Sequence, residues 1–96
     1  VLKVFGNKNN NLLSFPISGY TLSIDFKLSD KLFDFLDCLD DIVQKYGGRL
    51  YLSKDVRMSE KMFKSTYPNW EDFKLLRKKY GIDKAYFSLQ SKRIGL

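Results

Sequence analysis

The pattern of apolar and polar residues predicts two strands in the first third of the chain. Residues 1–5 form a short, largely apolar run, and residues 20–28 alternate one by one between apolar and polar. An alternation with a period of two is typical of a strand that buries one face. The apolar face would carry Tyr20, Leu22, Ile24, Phe26 and Leu28, and the polar face Thr21, Ser23, Asp25 and Lys27.

Apolar residues recur at helical spacing after residue 29. Ser29 is the predicted N-cap of a helix that Gly47-Gly48 ends. Four aspartates lie on the side opposite the apolar stripe. Because they are spread along a helix and no loop gathers them, we expect a solvated face and no metal site. They are Asp34, Asp37, Asp40 and Asp41.

The second half of the chain predicts one further strand and two further helices. With the elements above, this order predicts an α+β fold: a small antiparallel sheet with helices on one face. The predicted elements are a strand over Arg49–Leu52, a short helix from its cap Ser59 to Tyr67-Pro68, a last helix from its cap Asn69 to Gly81, and an irregular tail to residue 96.

Composition bounds the chain to one domain. It has 96 residues, of which 44% are hydrophobic and 16% aromatic, values that suit a packed globular domain. The sequence opens at Val1, inside the first predicted strand, and this favours a piece cut from a larger protein. The single cysteine, Cys38, excludes an internal disulfide and predicts a reducing compartment.

The net charge of +6 and the small size of the chain leave two classes of non-enzymatic function open. One is a basic binding module for nucleic acid or anionic lipid, with aromatic residues among the lysines. Against it, the lysines are scattered and the aromatics fall on predicted core stripes. The other is a structural cap or an oligomerisation domain.

No complete active site is visible in the sequence. The chain has no histidine, no dinucleotide-binding G-x-G-x-x-G, no P-loop and no nucleophile elbow. One local cluster, Tyr51, Lys54 and Asp55, falls at the end of a predicted strand. A lysine there could stabilise a developing anion as a fixed cation, and the alternative is a surface lysine paired with Asp55.

Four segments in register resemble FAD-linked oxidases of the vanillyl-alcohol-oxidase type. The nearest branch is the decaprenylphosphoryl-ribose 2′-oxidase group, and the aldonolactone and alditol oxidases are more distant. The resemblance covers nearly the whole chain. The segments are Leu13-Ser14-Phe15-Pro16 with Gly19-Tyr20-Thr21, Gly48 to Asp55, Met62-Phe63 through Tyr67-Pro68, and the tail from Phe87-Ser88 to Arg93.

The resemblance implies a two-domain flavoprotein in which residues 1–96 form the C-terminal part of the substrate (cap) domain. The domain that binds most of the FAD is absent from this chain. By position, Lys54 matches a family lysine close to flavin and substrate, and is assigned to catalysis and cofactor contact. Tyr51, Ser23, Thr21 and Asp25 match positions that line the substrate site.

The resemblance also implies partners and an activity. The partners are the protein's own FAD-binding domain and a sugar or polyol derivative, whose alcohol carbon would pass a hydride to the flavin. A lipid-linked substrate would bring membrane association, so the expected location is cytoplasmic or membrane-associated, and no nucleic-acid partner is expected.

Two departures from the family pattern bear on the substrate. Lactone and alditol oxidases carry a histidine-rich stretch before the lysine, whereas this chain has Tyr51-Leu52-Ser53. That difference weighs against a lactone oxidase. Some relatives have a cysteine at the position of Ser23, and their thiol chemistry does not transfer to this chain.

Overall fold

The computed structural model describes all residues from Val1 to Leu96. It contains a two-stranded antiparallel sheet, five α-helices and one short 3-10 helix, which confirms the α+β class. None of the helices combines the length and apolar composition that a membrane span requires. The elements are β1 (Leu2–Phe5), β2 (Gly19–Leu22), α1 (Leu32–Lys45), the 3-10 helix (Leu52–Lys54), α2 (Glu60–Thr66), α3 (Trp70–Lys79), α4 (Ile82–Ala85) and α5 (Leu89–Arg93).

The sheet is shorter than predicted. β1 and β2 pair with Phe5 opposite Gly19, and the ladder ends where Val1 and Ser23 exchange backbone hydrogen bonds. The predicted strand over residues 20–28 is therefore wrong in its second half, because residues 24–28 have no strand partner within this chain. Its apolar side, expected to be buried, is exposed at every position: Tyr20, Leu22, Ile24, Phe26 and Leu28.

The predicted strand over Arg49–Leu52 is not a strand. Its backbone carbonyls are satisfied by side chains instead of a neighbouring strand. The Tyr67 hydroxyl donates to the Leu50 carbonyl at 2.5 Å, and the Gln90 amide donates to the Leu52 carbonyl at 2.7 Å. The segment therefore runs singly into the 3-10 helix.

Helix α1 begins later than predicted and has a different polar face. Its N-cap is Lys31, and Ser29 instead accepts a turn hydrogen bond from the Leu32 amide through its backbone carbonyl. Asp40, predicted to be solvated, is buried against the guanidinium of Arg57. The predicted end is confirmed, since Gly47 adopts a φ of +71° and its amide donates to the Gln44 carbonyl.

The helices of the second half follow local signals in the sequence. The Ser59 hydroxyl accepts from the Met62 amide and caps α2, as predicted. Gly81, with a φ of +66°, follows the end of α3. The predicted irregular tail is wrong, because it contains α4 and α5. A reciprocal cap between Ser88 and Ser91 begins α5.

The core is small and lies between α2 and the C-terminal residues. Only nine of the 96 residues are buried. The Tyr67 ring packs on Phe63 with 5.2 Å between centroids, and burial raises the pKa of Tyr67 to about 12. The five buried apolar residues are Met58, Met62, Phe63, Tyr67 and Ile94.

Candidate active site

Lys54 lies at the end of the 3-10 helix, on a turn with few local hydrogen bonds. The Lys54 amide donates to the Tyr51 carbonyl at 3.1 Å, and the Asp55 amide donates to the Leu52 carbonyl at 3.3 Å. A single 3-10 turn has poor hydrogen-bond geometry and is not stable by itself. The order of this turn must therefore come from contacts with the rest of the fold.

Asp55 supplies much of that order. Its carboxylate is only 3% exposed. One oxygen accepts from the backbone amides of Arg57 at 3.0 Å and Met58 at 2.7 Å, and the other accepts from Arg93 at 2.7 Å and from Gln90 at 3.3 Å. Burial by itself raises the pKa of Asp55, but these hydrogen bonds, led by Arg93, outweigh it and leave the pKa below the ordinary value.

The ammonium of Lys54 has no carboxylate partner. The four ion pairs of the chain join Arg57 to Asp37 and Asp40, Lys64 to Glu60, and Arg93 to Asp55. The alternative of a surface lysine paired with Asp55 is therefore wrong, because that carboxylate is occupied by Arg93. Lys54 is exposed on its turn as an unpaired cation.

A chain of aromatic rings connects this turn to the hairpin. The Tyr51 ring lies 4.8 Å from that of Phe15, and Phe15 meets Phe5 edge to face at 5.7 Å. Phe5 is the last residue of β1, so the rings join the hairpin to the residue that precedes the 3-10 helix. Tyr51 remains 46% exposed and presents part of its ring on the surface.

The strand residues predicted for the substrate site differ in their surroundings. Thr21 and Ser23 lie on the hairpin face that also carries Phe5, because alternate residues of a paired strand share a face. Thr21 is half-buried and Ser23 is exposed. Asp25 lies beyond the ladder, is exposed, and its carboxylate accepts no hydrogen bond within the chain.

The structure thus brings part of the predicted site together. Tyr51 and Lys54 share one turn, and the ring chain relates that turn to the face of Thr21 and Ser23. No hydrogen bond joins Lys54 to the strand residues, and the position of Asp25 is not fixed by any partner. No group of three or more histidine, cysteine, aspartate or glutamate side chains is close enough to hold a metal ion.

A surface groove lies elsewhere, away from the predicted site. It is an open groove of about 540 Å³ beside α3, α4 and α5 that includes none of the predicted site residues and reaches the 3-10 helix only at Leu52. The residues that sequence reasoning missed are Gln90 and Arg93 of α5, which bind Asp55. Their serine cap was a readable local signal for the helix, but their contacts span 35 to 38 positions of sequence.

Comparisons with known proteins identify the family. The model of the D-arabinono-1,4-lactone oxidase family matches residues 12–92. The chain therefore belongs to this family, whose members are FAD-linked enzymes. The resemblance to FAD-linked oxidases found in the sequence is confirmed. The matched residues include Phe15, Tyr51, Lys54 and the start of α5.

Two relatives show how the chain compares with longer proteins. Over 96 residues it is 35% identical to a decaprenylphosphoryl-beta-D-ribose oxidase of Mycolicibacterium smegmatis, and over 97 residues it is 34% identical to an uncharacterized protein in the mprA 5′ region of Streptomyces coelicolor. Both alignments include the whole chain. They span only 21% and 26% of the two relatives, respectively.

Proposed function

We propose that this chain is the C-terminal part of the substrate domain of an FAD-dependent oxidoreductase that oxidises an alcohol carbon of a sugar or polyol derivative. The observation that carries the proposal is the unpaired ammonium of Lys54 on an ordered turn beside Tyr51. Asp55, its nearest acidic neighbour in sequence, is neutralised by Arg93. The cation is therefore available to an external anionic group.

The residues present fit only one end of FAD. The chain has no glycine-rich dinucleotide cradle for the phosphates, so most of the cofactor would be held by another domain of the protein. A free cation beside an aromatic edge suits the ring end of FAD, where negative charge develops on reduction. Lys54 and Tyr51 are the residues we assign to that end.

The chemistry is the removal of two electrons from an alcohol. The alcohol carbon loses a hydride, its hydroxyl releases a proton to water or to a base, and a carbonyl remains. FAD, when bound, supplies the hydride acceptor. Lys54 would stabilise the negative charge that the transfer creates, as a fixed cation does best in a site from which water is excluded.

The substrate contacts follow from the side chains that the hairpin and turn expose. The Thr21 and Ser23 hydroxyls can donate hydrogen bonds to sugar hydroxyls and accept hydrogen bonds from them. The Asp25 carboxylate can accept hydrogen bonds from sugar hydroxyls. The exposed part of the Tyr51 ring offers an apolar face to the C–H side of a sugar. We infer that these four side chains orient the substrate.

The exposed apolar surface supports a partner domain. Large apolar side chains are exposed along the hairpin and α1, whereas monomeric soluble proteins rarely expose large contiguous apolar patches. The FAD-binding domain and the remainder of the substrate domain are the partners we propose. The 96 residues would then be inactive alone.

We favour a sugar derivative over a lactone as the substrate. The family's name is that of a lactone oxidase, yet the chain lacks the histidine-rich stretch before the lysine, and one relative is a decaprenylphosphoryl-ribose oxidase. A lipid-linked sugar would place the protein at a membrane surface on the reducing side. No observation favours the basic nucleic-acid or lipid module.

Substitution of Lys54 tests the proposal. In the complete polypeptide that contains the chain, Lys54→Ala is expected to lower kcat about 100-fold or more, because one preorganised charge contact is lost. FAD content should stay unchanged. Turnover of sugar and polyol derivatives and flavin absorbance are the measurements.

The matched control is Lys61→Ala. Lys61 is also an exposed lysine without an ion pair, but it lies on α2. It should retain full turnover. Equal turnover in both variants would remove Lys54 from the catalytic machinery.

A further inference from the structure

Helix α5 holds the Lys54 turn through two side chains. Gln90 donates to the Leu52 carbonyl at 2.7 Å and to the Asp55 carboxylate at 3.3 Å. Arg93 donates to the Asp55 carboxylate at 2.7 Å and to the Met58 carbonyl at 2.8 Å. The two side chains therefore bind Leu52 before Lys54, Asp55 directly after it, and Met58 further along the same segment.

No other element donates hydrogen bonds to the turn. Apart from neighbouring backbone amides, the groups of residues 52–55 receive hydrogen bonds only from Gln90 and Arg93. Ser53 and Lys54 make no side-chain hydrogen bonds. The backbone that carries Lys54 is therefore held to α5 through Leu52 and Asp55.

We propose that Gln90 and Arg93 are positioning residues that fix Lys54 for its contact with the cofactor and substrate. This rests on the proposed function. The physical reason is that a fixed charge stabilises a transition state only if it is already in place, and a displacement of about 1 Å can cost on the order of 100-fold in rate. The hydrogen bonds from α5 supply part of that preorganisation to the 3-10 turn that carries Lys54.

The opposing interpretation is that the two residues only hold the C-terminal tail in place. The two roles differ in whether their effect passes through Lys54. If Gln90 acts through Lys54, its substitution should have no further effect once Lys54 is absent. If it acts only on the fold, the effect should persist in the absence of Lys54.

The experiment is a double-mutant cycle in the FAD-loaded complete polypeptide. Gln90→Ala is the first choice because it removes two hydrogen bonds without leaving a buried charge. Arg93→Lys, which keeps the charge beside Asp55, is the second. Each is made in the wild-type and in the Lys54→Ala background, with kcat, KM and the reduction potential of the bound FAD as readouts.

We expect Gln90→Ala to lower kcat about tenfold, with KM changed much less, and to make the reduction potential more negative. Both effects should vanish in the Lys54→Ala background. Lys92→Ala, an exposed substitution on the same helix that touches Phe87 and not the turn, should leave kcat and potential unchanged.

The outcomes separate the two claims. If Lys54→Ala changes neither kcat nor potential, the proposed function fails. If Lys54→Ala has its effect but neither Gln90→Ala nor Arg93→Lys alters the two readouts, only the positioning role is overturned. It is equally overturned if Gln90→Ala lowers kcat by the same factor with and without Lys54.

Discussion

At the scale of single residues, the environment of Asp55 determines how Lys54 is presented. Two backbone amides, a guanidinium and an amide side chain converge on one nearly buried carboxylate. This carboxylate forms its ion pair with Arg93 and none with the neighbouring ammonium. The adjacent residues Lys54 and Asp55 therefore have opposite roles, one available at the surface and one committed to the fold.

The lowered pKa of Asp55 predicts a stability that depends on pH. In the unfolded chain the pKa of the Asp55 carboxyl is near its ordinary value of 3.8, and in the folded chain the pKa is below that value. Its contribution is therefore complete above about pH 4 and is lost as the pH falls through the folded pKa. Neutral pH lies well inside the stabilised range.

Asp55→Asn should reveal that contribution. We expect the free energy of unfolding of the variant to be about 2 kcal/mol lower than that of the wild type at pH 7. The Asn amide group would face hydrogen-bond donors with a donor of its own, and Arg93 would lose its charge partner. The difference from wild type should shrink toward zero at acid pH. Denaturant unfolding of both proteins across that range is the measurement, and a difference that is constant with pH would contradict it.

At the scale of elements, Arg57 joins α1 to the segment that follows Lys54. Its guanidinium binds both Asp40 oxygens, at 2.6 and 2.9 Å, as well as Asp37 and the Leu36 carbonyl. The hydrogen bonds that Arg57 donates to Asp40 raise the pKa of Arg57 above its ordinary value. Arg57 thus joins this loop to α1, and Asp55 joins it to α5.

Removal of Arg57 should cost more than removal of its exposed partner. Arg57→Ala leaves the Asp40 carboxylate buried without a counter-charge, and we expect a loss of about 3 kcal/mol. Asp37→Ala should cost less than about 1 kcal/mol, because the Asp37 side chain is 70% exposed. Denaturant unfolding of the two variants compares them, and equal losses would argue against Asp40 as the principal partner.

The elements also show what sequence can predict. The Ser59 cap and the Gly47 helix end depend on residues within four positions, and both predictions are confirmed. The strand over Arg49–Leu52 failed because its carbonyls bind side chains 17 and 38 residues away. Local patterns do not carry such information.

In the candidate site too, features set by residues close in sequence could be predicted, and features set by distant residues could not. That Tyr51 and Lys54 share one turn follows from their proximity in sequence. The burial of Asp40 could not be read from α1, because it depends on an arginine 17 positions later. The hold of α5 on Asp55 was invisible for the same reason. The resemblance located the segments, and only the fold showed which side chains meet.

At the scale of the whole molecule, the small core and the large exposed apolar surface belong together. Five buried apolar residues form the core, while the outer face of the hairpin and part of α1 are uncovered. The chain spans about a fifth to a quarter of the relatives it matches. Both observations support our proposal that the chain acts as one part of a larger flavoprotein.

The visible absorption spectrum tests this claim most directly. It should be recorded for the complete polypeptide that contains the chain and for the 96 residues alone, each after incubation with FAD and removal of the free cofactor. Flavin bands in the complete polypeptide and none in the 96-residue chain are the predicted result. A complete polypeptide that stays colourless after reconstitution would contradict the account.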